Sequence, residues 1–232
     1  MSKSIISKKI LFWYDNNKRI LPWRKNTSKE QKLYFTLVSE FMLQQTQVST
    51  VIPYFKRFVQ KIPNFKKLSK ANDQTLMKLW EGLGYYSRAR NLKKSAIMIN
   101  GKFGGTLPSN IEDLKSLPGV GDYTSTAIMA IAFNQKFIPL DGNVERILKR
   151  VLYLRNEKDI SKENMQISKN FFGLSERASD YAQAIMELGA LVCRPTSPLC
   201  DKCPIRINCI SYKRKDFSLI KKTKKNKIKY FE

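Results

Sequence analysis

Four cysteines, Cys193, Cys200, Cys203 and Cys209, fall within one 17-residue window, and the chain has no other. A disulfide framework would spread its cysteines through the fold to close long loops, whereas thiolates this crowded are metal ligands. The spacing Cys-x6-Cys-x2-Cys-x5-Cys can hold either tetrahedral zinc or a cubane iron–sulfur cluster. Histidine is absent. Any metal centre is therefore all-thiolate, and acid–base chemistry falls to carboxylates, tyrosine or lysine.

Two carboxylates have the surroundings for such chemistry. The chain is 27% charged, yet the 23 residues from Leu33 to Phe55 carry a single charge, Glu40, where about six would be expected. Burial among Phe41, Met42 and Leu43 would disfavour the ionised form of Glu40, raise its pKa and make it a proton donor near neutrality. Asp141 lies in the turn Leu140-Asp141-Gly142-Asn143, about ten residues beyond an apolar helix. It reads as a capping aspartate.

These residues need helices to hold them. Tyr34, Leu37, Val38, Phe41 and Met42 make one helical apolar face, with Thr36, Glu40 and Gln44 on a narrow polar one. Gln44-Gln45-Thr46-Gln47 then offers neutral hydrogen-bonding side chains suited to entering a base stack or reading base edges. Leu117-Pro118-Gly119-Val120-Gly121 predicts a tight turn in which both glycines permit positive φ. It feeds a helix from Tyr123 to Ala132, so the N–H groups of Gly119, Val120 and Gly121 make a site for a phosphate. Tyr85-Tyr86-Ser87-Arg88-Ala89-Arg90 follows a double-glycine turn, and here Tyr85 could stack on a base while Arg88 binds phosphate. Trp23-Arg24, in a loop, could likewise stack on a base.

The remaining periodicities are helical. Ile6, Ile10, Trp13 and Tyr14 open the chain with a short amphipathic helix, and Leu76, Leu79 and Trp80 form another. Val144, Ile147, Leu148, Val151 and Leu152 mark a core helix, and Tyr181 to Val192 a last strong one leading into the cysteines. Lys56–Ala71 reads as basic and turn-rich, the run from Gly101 to the Leu117 turn as a loop, and Asn156–Asn170 as a polar stretch. The predicted fold is all-α. The end, Ile228–Glu232, resembles the first residues of a strand.

Lys and Arg number 43 against 19 acidic residues, a formal charge of +24. That excess calls for a polyanionic partner, most simply nucleic acid. A membrane is the competing partner, but no run of 18 apolar residues exists and the N-terminus lacks the apolar region of a signal peptide.

Taken in order, the cysteine loop, the glycine turn and Asp141 resemble the helix-hairpin-helix DNA glycosylases of the endonuclease III superfamily, over roughly residues 5–210. Within it the chain is most similar to the adenine DNA glycosylases, the MutY-like branch. The motifs are LPWR at 21–24, SEFMLQQTQV at 39–48, GLGYYSRARNL at 82–92, LPGVG at 117–121, LDGNVER at 140–146 and MELGALVC at 186–193. The resemblance implies two helical subdomains: residues 1–26 with 136–210, carrying a [4Fe–4S] cluster on the four cysteines, and residues 27–135 with the hairpin. Residues 211–232 would be a basic tail at the start of a further domain.

The resemblance also implies roles. Glu40 would protonate the adenine and Asp141 would stabilise the sugar cation, with Tyr123 and Asn143 assisting. Gln45 and Tyr85 would wedge into the stack, and Trp23, Arg24 and Glu187 would line the pocket for the extruded base. Arg194 and Lys202 of the cluster loop would touch phosphate.

The expected substrate is double-stranded DNA with adenine opposite 8-oxoguanine or guanine, handled by a monomer in a bacterial cytoplasm with no membrane attachment. Members that also cut the strand carry a Schiff-base lysine where this chain has Tyr123, so a monofunctional enzyme leaving an abasic site is expected. The 8-oxoguanine-recognising domain of the family would begin where this chain ends, and weaker discrimination of 8-oxoguanine is expected in consequence. Glu145 stands where many bacterial relatives carry lysine. Two other readings fit part of the pattern, a mismatch glycosylase removing thymine or uracil opposite guanine and a non-catalytic DNA-binding iron–sulfur protein.

Overall fold

The computed structural model describes residues 3–154 and 163–218, and among them there are helices and no strand. In chain order the helices are α1 (Lys3–Asn17), α2 (Lys29–Leu43), α3 (Val48–Lys61), α4 (Phe65–Lys70), α5 (Asp73–Trp80) and α6 (Ser87–Lys102). They continue with α7 (Ile111–Ser116), α8 (Asp122–Ile131), α9 (Gly142–Leu152), α10 (Glu163–Phe172), α11 (Ala178–Leu191) and α12 (Ile210–Arg214). The strand expected at Ile228–Glu232 lies outside the described residues.

Short polar residues begin these helices where the sequence has them. Ser28, Asn64, Asn72 and Asn110 each accept a hydrogen bond from the backbone N–H three residues on. This satisfies one of the orphan donors of the first turn. Three segments are more helical than their composition predicts. The basic stretch 56–71 holds the end of α3 and all of α4, the loop before Leu117 contains α7, and the polar stretch after Asn156 contains α10. In each case a few apolar anchors decide the matter. Phe58, Phe65, Leu68, Leu114 and Phe172 are buried, and the lysines between them stay in solvent.

Two hydrophobic cores result. One is built from Leu37, Phe41, Phe58, Trp80, Leu92 and their neighbours between residues 33 and 129. The other joins Ile10 and Tyr14 of α1 to Ile147, Ile185 and Leu188 of α9 and α11. Helix α2 is buried from Leu33 to Met42, the stretch whose single charge is Glu40, while Lys29 and Glu30 of its first turn are exposed. It packs on α3, α6 and α8, while α11 packs on α1, α8 and α9. Helices α8 and α11 thus touch across the boundary between the cores, and a large open cavity lies along it.

Candidate active site

The cavity, of about 1360 Å³, takes its walls from both cores. From the side of the first come Glu40 of α2, Gln44 just after it and Tyr123 of α8, and from the side of the second Asp141, Asn143, Met186 and Glu187. Glu40 is 6% exposed. Burial raises its carboxyl to about 7, and the facing charge of Asp141 adds to the effect. The Tyr123 hydroxyl lies within reach of that carboxyl and 3.5 Å from Met186 Sδ. Burial, then the negative charges of Glu40 and Asp141, hold Tyr123 well above its ordinary pKa, so it remains a neutral phenol and a hydrogen-bond donor.

Asp141 is a helix cap, as its turn predicts. As the N-cap of α9 it accepts from Val144 N at 2.7 Å through Oδ1. Its Oδ2 accepts from Asn143 Nδ2 at 2.8 Å. The carboxylate is thereby fixed in orientation beside the cavity. Asn143 is held in turn by Arg146, whose Nη2 donates to Asn143 Oδ1 and to Gly189 O, both at 2.7 Å, and whose Nε donates to Cys193 O at 2.7 Å. A Cβ on Gly189 would come within 2.6 Å of Asn143 Cβ, so only glycine lets α11 approach the start of α9 this closely. The sequence reading overlooked Arg146. Its signal was the spacing of three from Asn143, one turn along the same helix face.

Trp23 and Arg24 line the cavity as expected, Trp23 packed edge-on against Phe55 with ring centroids 5.3 Å apart. Glu187 also lines it, but its oxygens are already engaged. Arg19 donates to them through Nε at 2.8 Å and Nη2 at 2.6 Å, and Arg24 Nη1 at 3.3 Å. Burial alone would raise this carboxyl; the Arg19 bonds and the Arg24 charge outweigh it, and its pKa is lowered. Arg19 is a second cavity-lining residue that nothing local in the sequence marks, because its partner lies 168 residues away.

The hairpin turn departs from expectation in two respects. Gly119 has φ +83, and a Cβ there would meet Phe41 Cε1 at 2.9 Å. Gly121 has ordinary extended backbone, φ −96 and ψ −169, and faces open space. Val120 is no phosphate ligand, because its N–H donates to Leu117 O at 3.0 Å to close the turn and its side chain is buried. Gly119 and Gly121 both line the cavity, and among the described residues their N–H groups have no acceptor.

Arg88 needs a larger correction. It is buried and donates to five main-chain carbonyls, so it is not available to a phosphate. Tyr85 beside it is 52% exposed and stands apart from the cavity walls, whereas Gln45 is exposed and lines the cavity mouth.

The four cysteines surround one small apolar cavity with Val151, Leu188 and Ile205. Burial holds the Cys200, Cys203 and Cys209 thiols above their usual pKa, Cys203 at about 12, so they need a metal's charge to become thiolates. Among the described residues no three such side chains converge as the ligands of a single metal ion would. Arg150 braces the loop from beneath. Its guanidinium is buried, donates to Arg194 O at 2.7 Å and Pro195 O at 2.8 Å, and lies 3.4 Å from Cys193 Sγ.

Residues 38–171 match the family model described as HhH-GPD superfamily base excision DNA repair protein. The adenine DNA glycosylase of Rattus norvegicus is 44% identical over 216 residues, covering 88% of this chain and 41% of that protein. That of Buchnera aphidicola from Acyrthosiphon pisum is 38% identical over 240 residues, covering the whole chain and 67% of that protein. The chain therefore spans less than half the length of its mammalian relatives. Among solved structures, a thermostable thymine-DNA glycosylase superposes with a TM-score of 0.80 at 25% identity, covering 91% of this chain and 97% of that one. A trapped endonuclease III–DNA covalent intermediate gives a TM-score of 0.73 at 22% identity, covering 93% and 99%. With the family model matching more than half of its residues and a 38% identical relative aligned along its whole length, the chain belongs to the HhH-GPD superfamily of base excision DNA repair proteins.

Proposed function

We propose that this protein is a monofunctional DNA glycosylase that removes adenine paired with 8-oxoguanine or guanine and leaves an abasic site. The observation that carries this reading is a buried acid, Glu40, held near pKa 7 and facing the oriented carboxylate of Asp141 across a cleft wide enough for an extruded nucleotide. The base cannot be reached within the duplex, so it is first flipped out, with Gln45 and Tyr85 filling the stack. The free N–H groups of Gly119 and Gly121 hold a backbone phosphate. Trp23 and Arg24, with Glu187 behind them, form the wall against which the base settles.

Protonated Glu40 then donates its proton to a ring nitrogen of adenine, which turns a poor leaving group into a neutral one. The glycosidic C–N bond breaks, and its electron pair leaves with the base. The positive charge left on the sugar develops beside Asp141, in a site dry enough to make that attraction strong. Water adds to the sugar carbon, and its proton passes to the carboxylate of Glu40. Tyr123 offers a hydroxyl donor to Glu40 and no amine, so no Schiff base forms.

The all-thiolate set at Cys193, Cys200, Cys203 and Cys209 suits a [4Fe–4S] cluster, wider than a single ion. Such a cluster would cross-link the loop that carries Cys193 O, the acceptor of Arg146, and it takes no part in the reaction. The two hydrophobic cores favour a division into residues 1–26 with 136–210 and residues 27–135. The 44% identity to an adenine glycosylase supports adenine over thymine as the base. The fold likeness to a thymine-DNA glycosylase keeps the T:G substrate in the test.

Single-turnover release assays on duplexes with A opposite 8-oxoguanine, A opposite G and T opposite G decide the substrate. Adenine release from the first two is expected, reduced at least a hundredfold in Glu40→Gln and in Asp141→Asn. Asparagine is itself a good cap, so the second variant removes the charge while keeping the start of α9 intact. Unchanged activity in Glu40→Gln, or release of thymine in preference to adenine, refutes the reading. A borohydride-trapped adduct in stoichiometric yield refutes the monofunctional mechanism.

A further inference from the structure

Arg88 lies in the first turn of α6, and its guanidinium gathers two separate stretches of backbone. Nη1 accepts no bond and donates three, to Phe41 O at 3.1 Å, Met42 O at 2.8 Å and Gln44 O at 2.5 Å. Nη2 donates to Leu83 O at 3.2 Å and Gly84 O at 3.0 Å. The first three carbonyls end α2, where a helix has unpaired acceptors and the negative end of its dipole. The other two close the turn after α5. The guanidinium Cζ lies 5.6 Å from the centroid of the Trp80 ring and 5.4 Å from that of the Tyr85 ring. Burying an arginine to satisfy main-chain oxygens is costly, and the fork geometry of this side chain suits it to bridging several of them at once.

Each stretch so held runs directly into a non-glycine residue of left-handed backbone. Gln44 is followed by Gln45 at φ 55, and Gly84 by Tyr85 at φ 49. Left-handed backbone is strained in residues that carry a side chain, and it persists where the surroundings over-determine it. Both side chains are exposed. Neither has a core to fill, so the strain is not explained by packing.

We propose that Arg88 is a positioning residue that locks Gln45 and Tyr85 into the two prongs of one duplex-penetrating wedge, fixed relative to Glu40 one turn back on α2. This rests on the glycosylase reading of the same site. Arg88 then acts on base extrusion, before any bond is broken. Lysine in its place keeps the charge but cannot span five carbonyls on two stretches.

The test compares Arg88→Lys in the wild-type background and in a Gln45→Ala/Tyr85→Ala background. Extrusion is read from 2-aminopurine fluorescence in a mispaired duplex. Excision is read in single turnovers on the mispair and on a bubble substrate whose adenine is already unstacked. In the wild-type background Arg88→Lys is expected to slow extrusion and mispair excision on the order of tenfold or more, as small misplacements at a reacting site do. On the bubble substrate, and in the background without prongs, the same substitution should change the rate by no more than about twofold. Hydrogen exchange should quicken at residues 44–46 and 83–85 while α11 keeps its protection.

Equal slowing in both backgrounds and on both substrates, uniform loss of protection, or no effect overturns the proposal. Wild-type protein that extrudes the base and releases no adenine from any substrate overturns the glycosylase reading instead, and the extrusion comparison still decides Arg88.

Discussion

The chemistry at Glu40 has a thermodynamic consequence that can be measured without substrate. Its carboxyl titrates at about 7 in the folded protein against an ordinary 4.5 in the unfolded chain. Below pH 4.5 it is protonated in both states and contributes nothing to pH dependence. Between 4.5 and 7 the folded protein binds a proton that the unfolded chain has released, so stability falls as pH rises through this window. Above 7 the penalty is complete, on the order of 3 kcal/mol for a shift of this size. Glu40→Gln removes it. Thermal unfolding is therefore expected to show Glu40→Gln more stable than wild type at pH 8 and indistinguishable from it at pH 4.5, with activity lost at both. A general acid must hold its proton, so wild-type single-turnover rates should fall as pH rises past 7, and a flat profile to pH 9 would rule out Glu40 as the donor.

Helix α11 meets α9 at one point where no side chain fits. Gly189 lies against Asn143, with Asn143 C and O each 3.1 Å from where its Cβ would stand. The obstacle is backbone, so alanine there must push the two helices apart rather than turn a side chain aside. Movement of Asn143 releases Asp141 Oδ2 from the side-chain donor that holds it, and loosens the Arg146 bonds to Gly189 O and Cys193 O. Gly189→Ala is expected to lower stability by about 1–3 kcal/mol, as over-packing does, and to slow excision at least tenfold. Gly121→Ala is the contrasting case, since its Cβ would enter open space. It should leave the melting temperature within about 1 °C of wild type and weaken DNA binding, because the methyl group would stand where a phosphate approaches. Weakened stability in Gly121→Ala with unchanged binding would contradict this account of the hairpin.

Across the whole molecule the formal charge of +24 acts as a field that no single contact provides. Lys18, Lys25 and Lys32 stand around the cavity and carry that field to its mouth. Neutralising about six phosphates should make log affinity fall with log salt at a slope of roughly −5, alike for matched and mispaired duplexes. Specificity should then appear as a difference in intercept, measured by fluorescence anisotropy between about 50 and 200 mM salt. A slope near zero would dissociate the charge excess from DNA binding. No helix among the described residues is long and apolar enough to cross a membrane.

Much of this protein was legible in its sequence because the informative residues broke local rules. A helical stretch with one charge in a basic chain had to be buried, and Leu33–Met42 of α2 is. Crowded cysteines had to meet, and all four line one cavity. A turn before Asn143 had to be capped, and Asp141 caps it. The cases that went otherwise share a different physics. Arg88 reads as a phosphate ligand, and nothing in the sequence marks Arg150, because composition counts charges and cannot see which carbonyls lie unpaired at the end of a distant helix or loop. Arg19 and Glu187 are 168 residues apart, and nothing local joins them. The sequence by itself determined the strongly periodic helices, the clustering of the four cysteines and the two carboxylates, since each follows from periodicity, spacing or surroundings within one turn. Only the tertiary structure decided that those carboxylates face each other across a cleft and that one arginine clamps two loops, because both depend on which backbone groups the packing of two cores brings together.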